Sequence, residues 1–347
     1  MLFITFCFFE LGLRLLEEYL YFINDDSGYS EIFSDERDTE YLVGHKPNIQ
    51  YQLTNDNFNY KFTSNSEGLR ESKDYHQEIN SVIFLGDSII EGLSINDEHT
   101  IDEVFERETG LISLNFGVSS SNTIQEYYFL KEKYRDNYGA KLVILGFCLN
   151  DLSQNNFRRY FDPLTENWRF YDHVVSQKKK ENYKNNANQI VTFKNISFHT
   201  KEFLKHSKTI LTLYNLWVLF YDKFYVTDYS DVVISQELID LTEEYILKIK
   251  EHSASLGAEF EVVIFPFEWQ LNKEYLSNSR LQDQLIGVLE KNNIDYVDMH
   301  WPIKSALIDG VDNSWYSDSV HNNKHGAEFI GKYLASYYRE KYKFIFR

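Results

Sequence analysis

Ser81-Val82-Ile83-Phe84-Leu85-Gly86-Asp87-Ser88 is the stretch that decides the fold. Ser81–Leu85 is a continuous apolar run, not an alternation, so it reads as a strand buried on both faces of a parallel sheet. Gly86 ends the run, and Asp87-Ser88 opens the next segment. Working outward, the same kind of run recurs at Leu111–Phe116, Leu142–Leu145, Phe260–Phe265 and Tyr296–Met299. Helical periodicity fills the gaps over 123–135, 233–254, 279–291 and 327–342. Strands alternating with helices predict βαβ units and a parallel sheet covered on both faces.

The pattern divides the chain into parts. Residues 79–347 carry the α/β repeat, and 152–232 interrupt it as an insertion without a core-type strand. The start of the insertion is aromatic, with Trp168 and Tyr171 among its rings, and these two are candidate substrate-binding residues. Its second half has an apolar helical pattern near 203–225. Upstream, 23–78 are polar and irregular, with short alternations such as Tyr60-Lys61-Phe62-Thr63 that suggest strands or a hairpin.

Residues 1–22 form a separate hydrophobic to amphipathic segment. MLFITFCFF carries no charge, and Glu10, Arg14, Glu17 and Glu18 then fall in one helical stripe. The segment is short of the ~20 apolar residues of a spanning helix and lacks the basic start and cleavage site of a signal peptide. It reads either as an amphipathic helix packed on the domain or as a membrane anchor. The expected location is therefore membrane-associated through the N-terminus, in the cell envelope, with a cytoplasmic protein as the alternative.

Charge narrows the partners. Lys and Arg number 35 against 53 Asp and Glu, a formal −18, which argues against nucleic acid because phosphate binding needs a basic footprint. The two cysteines, Cys7 and Cys148, support neither a disulfide framework nor a cysteine-rich metal site.

Four positions at the ends of these strands carry chemical groups. Ser88 follows a strand-to-turn glycine, where an open α/β sheet presents side chains to ligands. Gly117 ends the second run and lets a backbone N–H approach a ligand closely. Asn150 follows the third run, and a side-chain amide there can donate to a developing oxyanion. Asp318 stands three residues before His321, where a carboxylate can orient an imidazole through Nδ1 and leave Nε2 as base. Each is also an ordinary turn or cap residue when taken alone. His325 has no carboxylate at that spacing, since position 322 is Asn.

Taken together, GDSIIEG at 86–92, NFG at 115–117, ND at 150–151 and DSVH at 318–321 resemble the SGNH (GDSL) hydrolase family. Asn65-Ser66-Glu67-Gly68-Leu69-Arg70 also looks like a segment that precedes the core in membrane-associated bacterial relatives. Cys148 stands where the family often has glycine. The resemblance implies a three-layer α/β/α sandwich with a flavodoxin-like parallel sheet. It implies Ser88 as nucleophile, His321 as base, Asp318 as its partner, and an oxyanion hole from the N–H groups of Ser88 and Gly117 with the Asn150 side chain. It implies a serine hydrolase that cleaves an acyl ester, O-acetyl or short acyl on a carbohydrate or lipid, with no metal or organic cofactor. The alternatives are O-acetyl transfer to an envelope glycan and a non-catalytic binding module. The expected partners are a small-molecule, glycan or lipid ester and, through the N-terminal helix, a membrane.

Overall fold

The structure, a computed structural model, describes residues 32–33, 44–54, 59–77, 79–155, 157–162, 167–172, 234–271, 280–308, 315–343 and 345. All of them belong to one compact unit, Ser27–His173 with Val233–Arg347. The segment 1–22 and the helical pattern near 203–225 lie outside the described residues.

In chain order the described elements begin with β1 (Gln50–Thr54) and β2 (Asn59–Thr63), an antiparallel pair. Then come β3 (Ser81–Gly86), the short helix α1 (Ser88–Glu91), α2 (Ile101–Thr109), β4 (Ile112–Gly117), α3 (Thr123–Lys133), β5 (Ala140–Cys148) and the single turn α4 (Asp151–Gln154). β6 (Phe157–Asp162) and β7 (Asn167–Asp172) form a second antiparallel pair. The chain continues through α5 (Gln236–Ser255), β8 (Glu259–Phe265), α6 (Arg280–Lys291), β9 (Tyr296–Asp298), α7 (His300–Ile308) and α8 (Lys324–Lys341).

β3, β4, β5, β8 and β9 make one all-parallel sheet in the order β4-β3-β5-β8-β9. Counted along the chain this is 2-1-3-4-5, the flavodoxin-like order, and the order reverses at β3. Every residue of β3 is buried. Val82, Ile83, Phe84 and Leu85 have no exposed area, each worth roughly 1.5–3 kcal/mol of burial. That is why the strand reads as an unbroken apolar run. Phe84 meets Phe105 of α2 at 5.1 Å between ring centroids, and Phe105 meets Tyr338 of α8 at 6.3 Å. Phe116 of β4 meets Phe129 of α3 at 5.8 Å, and Tyr127 of α3 meets Tyr245 of α5 at 5.9 Å. The sheet thus has α2 with α8, and α3 with α5, as its helical covers, in the three-layer arrangement expected.

The sequence pattern passes over α2 and α7. The apolar positions of α2, Ile101, Val104 and Phe105, are interleaved with Asp102, Glu103, Glu106, Arg107 and Glu108, so the nine residues lack a run. The last helix begins at Lys324, earlier than periodicity places it, because the side chain of Asn323 caps the N–H groups of His325 and Gly326.

The upstream segment is joined closely to the sheet domain. Arg70, 4% exposed, donates to the carbonyls of Lys61, Glu91, Gly92 and Ile95 and to the Asp97 carboxylate. Its guanidinium lies over the rings of Tyr60 and Phe62 in β2, at 5.7 and 5.0 Å. Gly68 permits this turn: its φ is +77°, and a Cβ there would stand 2.5 Å from the His45 carbonyl oxygen.

Candidate active site

The carboxyl ends of β3, β4 and β5 meet where the strand order reverses, the place where open α/β sheets bind ligands. β3 delivers Ser88 there. Asp87 accepts the N–H of Ile89 at 2.9 Å and caps α1, which leaves the serine hydroxyl available. Ser88 is 8% exposed, and its Oγ lies 2.8 Å from Nε2 of His321.

His321 arrives on the loop before α8. Its Nδ1 lies 2.7 Å from Oδ2 of Asp318. The other carboxylate oxygen, Oδ1, accepts the backbone N–H groups of Val320 and His321, each at 2.7 Å. Tyr316 O–H donates to the Pro266 carbonyl at 2.9 Å, and Glu268 N–H donates to the Ser319 carbonyl at 3.0 Å, so the loop is tied to the end of β8. Burial pushes the Asp318 carboxyl up, but the hydrogen bonds and charge of His321 outweigh it and hold the group down at about 2. Burial alone would lower His321; the hydrogen bond and charge of Asp318 raise it above 6.5 instead. The carboxylate is therefore ionised at neutral pH and favours a protonated imidazole, as a base relay requires. His325 is exposed in the first turn of α8, its N–H held by Asn323.

The expected oxyanion donors divide. The Asn150 side chain hydrogen-bonds the carboxylate of Asp87, the residue before Ser88. Burial pushes the Asp87 carboxyl up to about 6, and the Ile89 N–H, His321 and Asn150 oppose that rise. An asparagine amide has two N–H donors, and a bond to Asp87 fixes the direction of both.

Gly117 is a correction. Its N–H is committed to Oδ1 of Asn115, two residues before it, at 2.9 Å. The glycine is needed for a different reason: a Cβ there would lie 2.1 Å from the Glu91 nitrogen, so only glycine lets β4 end against α1. The loop presents a different group. Ser121 N–H closes a turn onto the Val118 carbonyl at 3.1 Å, Ser119 N–H goes to Glu91, and Ser120 sits between them, exposed, with φ +62°. The Ser120 N–H bonds to none of the described residues. A non-glycine residue in the left-handed region costs roughly 1–2 kcal/mol, and such strain gathers at functional sites. Nothing in the spacing of Ser119-Ser120-Ser121 marks the middle serine; only its backbone angle does.

Trp168 and Tyr171 both lie in β7, the second strand of the antiparallel pair that follows α4 in the chain. Cys148 is buried, and burial pushes its thiol up, so it is not a competing nucleophile. Among the described residues no group of three or more His, Cys, Asp or Glu side chains is arranged to hold a metal ion.

Comparison with protein-family profiles matches residues 82–334, more than half of the chain, to the family described as GDSL-like Lipase/Acylhydrolase. The chain belongs to this family. With that membership goes the reaction class of this GDSL-like protein: a hydrolase acting on ester bonds. Ser88, Asn150, Asp318 and His321 lie inside the matched span, and the upstream hairpin with His45 and Arg70 lies outside it. No curated protein matches the GDSL-like chain. Solved structures similar to it include a member of the lipolytic protein G-D-S-L family from Veillonella parvula DSM 2008, at 12% identity and a TM-score of 0.39, covering 74% of this chain and 97% of that one. An acetyl xylan esterase, AlAXEase, is similar at 13% identity and a TM-score of 0.40, covering 74% and 98%. The psychrotrophic esterase EstA from Pseudoalteromonas sp. is similar at 10% identity and a TM-score of 0.40, covering 76% and 99%.

Proposed function

We propose that the protein is a serine esterase that removes O-acetyl or another short acyl group from a carbohydrate or lipid through Ser88, His321 and Asp318. The observation that carries this reading is the continuous relay from Asp318 Oδ2 to His321 Nδ1 at 2.7 Å and from His321 Nε2 to Ser88 Oγ at 2.8 Å. In the first half-reaction Nε2 takes the Ser88 proton as Oγ attacks the ester carbonyl carbon. The carbonyl oxygen becomes an oxyanion held by the N–H of Ser88, the N–H of Ser120 and the Asn150 amide. Loss of one such donor typically costs ~10²–10³ in kcat. His321 returns its proton to the departing alcohol, and the acyl group stays on Oγ. In the second half-reaction water loses a proton to Nε2 and attacks the acyl carbon, the acyl–Oγ bond breaks, Nε2 returns the proton to Ser88 Oγ, and the acid is released. None of these steps calls on a metal or an organic cofactor.

Two further readings accompany this one. Trp168 and Tyr171 contribute aromatic surface for the acyl or sugar part of the substrate. Residues 1–22 hold the protein at a membrane of the cell envelope, which suits an ester presented on a lipid or envelope glycan.

The test is fluorophosphonate labelling followed by intact mass. One adduct is expected on the wild-type chain and none on Ser88→Ala; an adduct on the mutant overturns the nucleophile. A panel of acetate, butyrate and longer chromogenic esters, with acetylated xylan and an acceptor alcohol, then reads acyl length and carbohydrate preference. Free acid as the product supports hydrolysis, whereas acylated acceptor in excess overturns it in favour of transfer.

A further inference from the structure

The N-terminal segment reaches a residue one turn from the nucleophile. Glu91 ends α1, three positions after Ser88, and its side chain is completely buried. A buried carboxylate is costly unless hydrogen-bond donors surround it. The donors here come from two directions. His45 Nε2 lies 3.2 Å from Glu91 Oε2, while His45 Nδ1 lies 3.2 Å from the Gly68 carbonyl oxygen. The same Oε2 accepts the N–H of Ser119 in the loop after β4. The His45 ring is itself fixed between Phe33 and Phe62, at 5.7 and 4.7 Å between centroids. Arg70 takes the backbone carbonyls of Glu91 and Gly92 at the end of α1. Burial pushes the Glu91 carboxyl up, but His45, Arg70 and the Ser119 N–H together bring it below its ordinary value, so it is an anion at neutral pH.

We propose that Glu91, held by His45 of the upstream segment, is the positioning residue of the oxyanion loop: by binding the Ser119 N–H it forces the Ser120 N–H outward toward the reacting carbonyl. The inference rests on the assignment of Ser88 as nucleophile and of the loop as an oxyanion donor. Its force comes from Ser120. A serine at φ +62° persists only where its neighbours hold it, and the two flanking N–H groups are the holds: Ser121 onto the Val118 carbonyl, Ser119 onto Glu91. The first hold is internal to the turn and moves with it. The second ties the turn to α1 and hence to Ser88. The ends of the loop are also tied to β3, Val118 N–H and Ser121 Oγ donating to the Gly86 carbonyl at 3.0 and 3.3 Å, so loss of Glu91 frees the middle of the loop at Ser119-Ser120, and a misplacement of about 1 Å in such a site can cost ~10²-fold. The upstream segment, outside the family match at 82–334, thereby becomes part of the catalytic machinery of this chain.

The experiment compares wild type with Glu91→Ala, Glu91→Gln and His45→Phe in the full chain, reading kcat and KM on a short chromogenic ester and the thermal transition. His45→Phe keeps an aromatic ring between Phe33 and Phe62 and removes both hydrogen bonds. Glu91→Ala and His45→Phe should lower kcat by about 10²-fold with KM within about twofold, because the lost interaction acts on the transition state. Glu91→Gln keeps an oxygen for the Ser119 N–H and should recover to within about tenfold of wild type. Lower thermal stability with wild-type kcat well below the transition overturns the proposal. Should the variants not fold, hydrogen exchange on the wild-type chain decides: a protected Ser119 amide beside a fast Ser120 amide supports the proposal, and a fast Ser119 amide overturns it. Ser88→Ala separates the two readings. If it stays active, the nucleophile is wrong; if it is dead while Glu91→Ala and His45→Phe turn over normally, only the positioning role fails.

Discussion

Replacing Asp318 with Asn should damage catalysis more than replacing it with Ala. Oδ1 of Asp318 accepts two backbone N–H groups, those of Val320 and His321, and Oδ2 faces His321 Nδ1. In Asp318→Asn one oxygen remains, and it must serve those two donors. The opposite orientation would lose two hydrogen bonds of about 1 kcal/mol each, a preference of about 30-fold. The amide NH2 then points at Nδ1 and donates to it, so the proton of the neutral imidazole moves to Nε2. Nε2 can no longer accept from Ser88. The lost charge adds to this. A unit pair about 4 Å apart is worth about 1 kcal/mol in bulk water and about 4 kcal/mol near a protein surface. The Asp318 side chain is 53% exposed, so screening reduces the gain to about 2 kcal/mol, or about 30-fold in rate. Asp318→Ala loses the charge but leaves the tautomer free, so kcat/KM should fall by about 30-fold; Asp318→Asn should fall by about 10³-fold. Steady-state hydrolysis of a chromogenic acetate, with Ser88→Ala as the floor, measures both. An Asn variant as active as the Ala variant, or more so, refutes the orientation argument.

The acid limb of kcat/KM should lie above pH 6.5, because Asp318 raises His321 and a protonated His321 cannot take the serine proton; Asp318→Ala should shift the limb to lower pH, and a wild-type limb below 6.5 contradicts the assignment. Stability should fall as pH rises from about 4 to 7. Burial lifts Asp102 from 3.8 to about 7 and raises Glu71, Glu126 and Asp151, so the folded chain binds more protons than the unfolded one in that window. Denaturant titrations at several pH values test the sign, and Asp102→Asn should flatten the slope; a midpoint that climbs with pH refutes it. Trp168→Ala and Tyr171→Ala should reorder the preference across an ester panel while small-phosphonate labelling of Ser88 stays near wild type; an unchanged ranking places the substrate pocket elsewhere. Deleting residues 1–22 should move the protein from the membrane to the soluble fraction with esterase activity intact, whereas loss of folding supports the packed-helix alternative.

The amino-acid sequence by itself determined the sheet and made the local Asp318–His321 pair legible. A strand covered on both faces must be apolar throughout, so β3, β4, β5 and β8 are visible as runs, and strands at this spacing with helices between them leave little choice but a parallel sheet. Asp318 and His321 are legible for a similar reason: three residues apart in one loop, their geometry is local. Only the tertiary structure decided what depends on groups far apart in the chain. His45 and Glu91 are 46 positions apart, Glu91 and Ser119 are 28, and neither interval is a period of helix or strand. Gly117 illustrates the limit most clearly. Its place after β4 was legible, but a backbone N–H has one proton, and whether it goes to a substrate or to Asn115 Oδ1 depends on a side chain whose direction is set only when β4 packs against α1. Ser120 is the reverse case: an unremarkable residue by type, singled out by a left-handed backbone that a linear sequence does not display, because one of the two hydrogen bonds flanking it goes to Glu91, on another element.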